Sequence, residues 1–312
     1  MSFFTHFFSS SRIGLDIQPH ELRLIKLKKL NKQFILETMI TRPLAPTIFV
    51  EDKIKQWDAL AIVLAELAEN ITTTQLPVAI QLPMKMVRMQ HLTLPALLSA
   101  VAIEMEIMAH LQRDLPGMTD TLAMDFYTTP AVAATEINVF FAATRQAYLT
   151  HYMDCLQMAG LPARCVDIDM LALLRAVRFI CDDQAAHYAI AYITRNAITL
   201  IKAQQQEILF YQVLDNYFPE DQHKKLLHSL QQFFSELSPH AIYKKIICGT
   251  RTHVSAWKEE IIGQDIRWIT DIFSYIEIDA NMNANIKNNL YDMQDSDFFI
   301  ALGLAMHEIP RW

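Results

Sequence analysis

A carboxylate stands near the end of an apolar run, just before a tight polar turn. The run is Arg12-Ile13-Gly14-Leu15-Asp16-Ile17, the turn is Gln18-Pro19-His20-Glu21, and Leu22-Arg23-Leu24-Ile25-Lys26-Leu27 follows. The two runs read as the strands of a hairpin. A hairpin tip can cradle phosphates, with Asp16 turned to a metal ion. Phosphate needs bare backbone N–H donors and close approach. Pro19 has no N–H to give, and Glu21 adds negative charge. The plainer role for Asp16 is to cap the turn. No other stretch carries a nucleophile elbow, a P-loop or a G-x-G-x-x-G fingerprint. The 11 histidines show no H-x-x-x-H or H-E-x-x-H spacing, so no metal site is expected. Glu104 and Glu106 fall on adjacent faces of one helix and read as solvated charge.

The elements that must hold this hairpin follow from periodicity. Residues 12–17, 22–28 and 33–40 read as an antiparallel meander. Lys53–Leu67 reads as a helix with Ile54, Trp57, Leu60 (or Ala61), Leu64 and Leu67 on one face. Residues 77–82 and 86–94 read as strands. Pro95 is expected to open a helix with Leu97, Val101, Met105, Met108 and Leu111 inward, stopped by Pro116-Gly117. Strands at 121–127 and 136–142 follow, then a helix over 145–159 ended by Gly160. A strand over 162–168 leads to Asp169, expected as the N-cap of a helix over 170–181. Residues 187–194, 197–203 and 206–212 repeat the meander about 175 residues on. Helices near 218–237 and 251–262 then alternate with strands over 243–248 and 266–269.

This duplicated order predicts an α/β protein of two similar sheet-and-helix lobes. The expected division is a Phe-rich arm (1–11), a first lobe (12–183) with a small α/β subdomain inserted at about 84–143, and a second lobe (187–296). A C-terminal helix (297–312) is expected to return to the first lobe. With 312 residues, 52% hydrophobic and 20% charged, the chain can bury a large core and disorder is excluded. Net charge of −7 argues against nucleic acid as partner. The 4 cysteines show no C-x-x-C and read as reduced and mostly buried. No stretch is apolar enough for a transmembrane helix. The start reads as no secretory signal; Phe3, Phe4, Phe7 and Phe8 are expected to tuck onto the body, or to touch a membrane or partner. The expected compartment is the cytoplasm.

Five stretches together resemble one family. They are Ile13–Ile17 with Leu22–Leu27; Leu115-Pro116 with Asp125-Phe126; Ala143 with Ala159-Gly160-Leu161-Pro162 and Val166-Asp167-Ile168; Ser229-Leu230 with Phe233-Phe234; and Ala301-Leu302-Gly303-Leu304-Ala305. In order and spacing they resemble the PilM family, cytoplasmic actin-like proteins of type IV pilus assembly. The resemblance implies an actin-like (ASKHA) two-lobe fold with an inserted subdomain. It also implies a place at the inner face of the bacterial inner membrane. The implied partner is the cytoplasmic N-terminal peptide of PilN, a single-span membrane protein. The implied cofactor is ATP with Mg²⁺, between the lobes.

By the same resemblance Asp16, Gln18, Thr194 and Gly249 would line the nucleotide cleft. The family's first loop has glycine and serines where this chain has Gln18, Pro19 and His20. Its second loop has Asp and Gly where this chain has Tyr192 and Thr194, with Arg195 beside them. A Gly-Gly motif is reduced here to Gly249. The expectation is a degenerate nucleotide site and a non-catalytic scaffold. The partner peptide is expected on the inserted subdomain, against Met86, Leu92, Met105, Met108 and Phe140, with Glu104 or Glu106 pairing a basic residue. The competing readings are a nucleotide-binding actin-like ATPase, a cell-division membrane tether, a type II secretion L-type protein, and an actin-fold kinase. A tether needs an amphipathic membrane helix after the core, a secretion protein a transmembrane span, and a kinase intact phosphate loops. None of these is read here.

Overall fold

The computed structural model describes residues 10–30, 33–51, 53–71, 76, 78–114, 121–182, 187–194, 197–204, 207–215, 220–258, 260–261, 265–279, 282 and 297–307. The chain order is β1 (Ser10–Ile17), β2 (Glu21–Leu30), β3 (Gln33–Pro43), β4 (Phe49–Val50), β5 (Lys53–Ile54), α1 (Trp57–Glu69), β6 (Val78–Leu82), β7 (Arg88–Pro95), α2 (Ala100–Asp114), β8 (Leu122–Pro130), β9 (Glu136–Arg145), α3 (Gln146–Met158), β10 (Ala163–Ile168) and α4 (Asp169–Cys181). It continues with β11 (His187–Ile193), β12 (Ala197–Gln204), β13 (Glu207–Asp215), α5 (Glu220–Ser235), β14 (Tyr243–Gly249), α6 (Arg251–Lys258), β15 (Ile266–Ile269), β16 (Glu277–Ile278) and α7 (Phe299–Ala305). The expected Phe-rich arm (Phe3, Phe4, Phe7, Phe8), the Pro116-Gly117 stop, Arg195, most of residues 279–296 and residues 308–312 lie outside the described residues.

Two compact units result: Met1–Leu44, Thr73–Gln81 and Arg164–Trp312 form one, Ala45–Thr72 and Leu82–Ala163 the other. The first unit holds two sheets with the same plan. From the third meander strand inward the orders are β3-β2-β1-β6-β10 and β13-β12-β11-β14-β15, with β16 added beside β3. In both, the first strand is central, antiparallel to the meander and parallel to the next crossover strand. Central strands buried on both faces read as continuous apolar runs. Accordingly every residue of β6 is buried, and so is all of β11 after His187.

Helices α4 and α7 are apolar nearly all round because they are enclosed nearly all round. α7 packs against α4, β1 and β2, and it lies at backbone distance. A Cβ at Gly303 would stand 1.8 Å from the Ala172 carbonyl oxygen. One at Gly14 would stand 2.0 Å from the Ala301 oxygen. Two glycines thus let a strand, a helix and a second helix approach without side chains between them.

In the second unit a three-stranded sheet, β7-β9-β8, is covered by α2 on one face. Three boundaries differ from expectation. Lys53 and Ile54 pair with Phe49 and Val50 as a short hairpin, so α1 starts only at Trp57. Pro95 closes β7 instead of opening a helix. α2 begins at Ala100, where the Ser99 hydroxyl accepts from Ala102 N–H at 3.3 Å. The inward face is then Ile103, Ile107 and Leu111, and Leu97, Val101 and Met105 are exposed. Asp169 is the first helical residue of α4 and not its cap. Its carboxylate accepts from Met170 N–H at 2.7 Å.

The close approach of α7 makes a direct prediction. Gly303→Ala forces a methyl into backbone and should destabilise by about 1–3 kcal/mol or more. Leu97→Ala, at a 99% exposed position, should leave stability unchanged. Urea unfolding midpoints of the two variants test the pair; a native midpoint for Gly303→Ala contradicts the packing.

Candidate functional site

The β1–β2 register sets Asp16 directly opposite Arg23. The strands are joined by a turn closed by Gln18 N–H donating to the Glu21 carbonyl at 3.0 Å. Within this frame every oxygen of Asp16 is engaged. Arg23 Nη1 donates to Asp16 Oδ2 at 3.0 Å, and Gln18 Nε2 to Oδ1 at 2.7 Å. Gln81, on neighbouring β6, offers Nε2 to the same Oδ1 at 3.4 Å and to the Ile17 carbonyl at 2.9 Å. The second guanidinium nitrogen of Arg23 reaches Glu21 Oε1 at 2.5 Å. Asp16 is fully buried and Arg23 is 9% exposed.

The second sheet repeats the geometry with other residues. Tyr192 holds on β11 the penultimate place that Asp16 holds on β1, and it faces Thr199 as Asp16 faces Arg23. The Tyr192 hydroxyl donates to Asp297 Oδ2. Asp297 enters α7, and its Oδ1 accepts from Phe299 N–H at 3.3 Å. At the turn, Thr194 N–H donates to the Ala197 carbonyl at 2.9 Å, and Ala197 N–H to Thr194 Oγ1 at 3.2 Å. Gly249 has φ +147°, and a Cβ there would lie 2.0 Å from the Ile193 oxygen. Its glycine is required by the neighbouring strand.

The cluster is electrostatically lopsided. Asp16 and Glu21 hold one guanidinium by hydrogen bonds, and the charge of Asp297 acts on it from further off. Burial pushes the Asp16 carboxyl up, against the pull of Arg23 and Gln18. Burial pushes Asp297 up to about 6, again against Arg23 and Tyr192. The Tyr192 hydroxyl is driven far above its usual range by burial and by Asp297. Burial works against the charge of Arg23, but Asp16 and Asp297 outweigh it and hold the guanidinium protonated. Among the described residues no group of three or more His, Cys, Asp or Glu could hold a metal.

A nucleotide's phosphates and Mg²⁺ fit these residues poorly. The Asp16 oxygens are already hydrogen-bonded, the N–H groups of Gln18 and Thr194 are turned to their own hairpins, and the cluster has three acids to one cation. Of the four residues expected here, Asp16 and Gln18 are brought together. Thr194 and Gly249 each close part of the second sheet. Sequence reasoning missed Arg23, Gln81 and Asp297. Only Arg23 had a local signal: in a hairpin turning at 18–20, residue 23 must oppose residue 16.

The second unit divides the six expected partner residues. Leu92 and Met108 pack together into the core between α2 and the sheet. Glu104 and Met105 are exposed on the outer side of α2. Phe140 lies on the opposite face of the sheet, stacked on Tyr127 with ring centroids 5.0 Å apart and beside His91 at 5.9 Å. These three form one cross-strand row, with Tyr127 51% exposed. Met86 sits in a turn tied to β9 by the Thr144 hydroxyl, which donates to its carbonyl at 2.9 Å.

The family described as type IV pilus assembly protein PilM matches residues 14–213. Among solved structures, the PilM-PilN type IV pilus biogenesis complex is 18% identical, with a TM-score of 0.73, covering 97% of this chain and 100% of that one. The ethanolamine utilization protein EutJ from Carboxydothermus hydrogenoformans is 7% identical, with a TM-score of 0.51, covering 96% of this chain and 90% of that one. At such identities the likeness concerns the fold, which is actin-like.

Asp297 gives the site a pH signature. Its carboxyl is raised from 3.8 to about 6, so between those values the folded chain holds a proton that the unfolded chain releases. Its contribution is full below about pH 4 and lost as pH rises through about 6, a change of about 3 kcal/mol. Asp297→Asn keeps the neutral form at all pH. The variant should therefore gain on the native chain as pH rises from 4.5 to 7.5 in paired thermal melts. A difference that stays flat with pH contradicts the raised value.

Proposed function

The chain belongs to the PilM family of type IV pilus assembly proteins, and from that premise we propose that it is a non-catalytic scaffold of pilus assembly. It holds the cytoplasmic N-terminal tail of a PilN-like membrane protein at the inner face of the bacterial inner membrane. No described helix is long and apolar enough to cross a membrane, and in this reading the chain is membrane-peripheral through its partner.

The observation that carries the reading is the uncovered face of the β7-β9-β8 sheet. Core residues fill the α2 side, and the other side presents His91, Phe140 and Tyr127 in a row. Stacked aromatic rings offer rigid apolar area to side chains of an extended peptide. The outer strands β7 and β8 each have one neighbour in the sheet, which leaves an edge for backbone pairing. Phe140, and Met86 at the end of the same face, then contact the tail. Leu92 and Met108 support the sheet from behind. The engaged hydrogen bonds around Asp16 support a scaffold that works without ATP and Mg²⁺.

Fluorescence anisotropy with a labelled synthetic PilN-type tail peptide tests this. Phe140→Ala and Tyr127→Ala should each weaken binding about tenfold, or about 1.4 kcal/mol. Met105→Ala and Glu104→Gln should leave it unchanged. No binding to the native chain, or undiminished binding to both aromatic variants, sinks the proposal.

A further inference from the structure

The place that the resemblance gives to a nucleotide's phosphates and metal is already furnished with a positive charge from the chain itself. Arg23 projects from β2 onto the carboxylate that a metal would need, at 3.0 Å, and its other nitrogen reaches Glu21 at 2.5 Å. It also lies within electrostatic reach of Tyr192 and Asp297. Tyr192 belongs to the second sheet, and its hydroxyl is bonded to Asp297. Asp297 leads into α7, which packs on the first sheet. The guanidinium's own hydrogen bonds stay within the first hairpin, on Asp16 and Glu21.

We infer that Arg23 is a built-in cation that takes the place of the nucleotide–metal pair and locks the β1–β2 hairpin around Asp16 and Glu21. The inference deepens the scaffold reading and rests on it. A phosphate entering here would meet Asp16, Glu21 and Asp297, which repel it. A divalent cation would have to displace a guanidinium that makes two charge-assisted hydrogen bonds. A lysine could not serve as well, because one ammonium cannot present a planar fork to two carboxylates. The hairpin is thereby held in one state whatever the nucleotide supply.

Chemical rescue tests the charge and the shape together. Arg23→Ala leaves a guanidinium-sized gap facing Asp16 and Glu21. Its melting temperature should fall by several degrees and recover in part with millimolar methylguanidinium. Methylurea, planar but neutral, should not restore it. ATP with Mg²⁺ at 1 mM should shift neither protein. Equal rescue by both compounds, a native melting temperature for Arg23→Ala, or stabilisation of the native chain by ATP with Mg²⁺ overturns the inference. Should Arg23→Ala fail to fold, Asp16→Asn, Arg23→Met and their double variant replace it. Each single should melt below native and the double above either single; additive losses overturn the lock. Tail-peptide binding by the native chain is read separately, so failure of the scaffold reading is told apart from failure of the lock.

Discussion

One guanidinium among buried acids is the constraint on which the first unit depends. Asp16, Asp297 and Arg23 are all withdrawn from water, and isolated charges in such a place are prohibitively unfavourable. They are tolerated because each answers another. Arg23 answers Asp16 and Glu21, Gln18 and Gln81 take the remaining oxygen of Asp16, and Tyr192 holds Asp297. Removing one partner from such a network is far more damaging than replacing all of it by apolar groups. The network therefore specifies an arrangement more than it adds net stability.

Around the network the fold is fixed by close approach. α7 touches β1 and α4 through Gly14 and Gly303, with backbone against backbone. Asp297 is delivered to Tyr192 only because α7 is seated there. Polar specificity and glycine packing thus depend on each other. The second unit is built differently: one helix covers one face of a small sheet, and the uncovered face keeps its aromatic row.

Much of the architecture was legible. Both meanders were readable because central strands are apolar on both faces, and their repetition announced two sheets of one plan. Helix starts were less legible. Pro95 suggested a helix, but the true start waits for the Ser99 cap, which moves the buried face of α2 from Leu97, Val101 and Met105 to Ile103, Ile107 and Leu111. At the candidate site, loop composition exposed missing glycines and donors and could not show what stands in their place. Arg23 could be found from hairpin register alone. Gln81 and Asp297 could not, since they reach Asp16 and Tyr192 across 65 and 105 residues. Gly249 was read as the remnant of a ligand motif; its geometry ties it to the Ile193 carbonyl.

The seat of α7 on β1 also bears on how the chain comes into being. Arg12 donates to the His307 carbonyl at 2.8 Å, a contact spanning 295 residues. On the ribosome β1 is made well before the helix that covers it. At ordinary elongation rates of roughly 5–20 residues per second, that is an interval of tens of seconds. Throughout it the face of Gly14 has no cover, and transiently exposed apolar surface is open to wrong association. The β7-β9-β8 sheet and α2, contiguous over residues 88–145, can close in the meantime. Synthesis thus orders assembly: the β7-β9-β8 sheet can close before the sheet that carries the guanidinium is sealed.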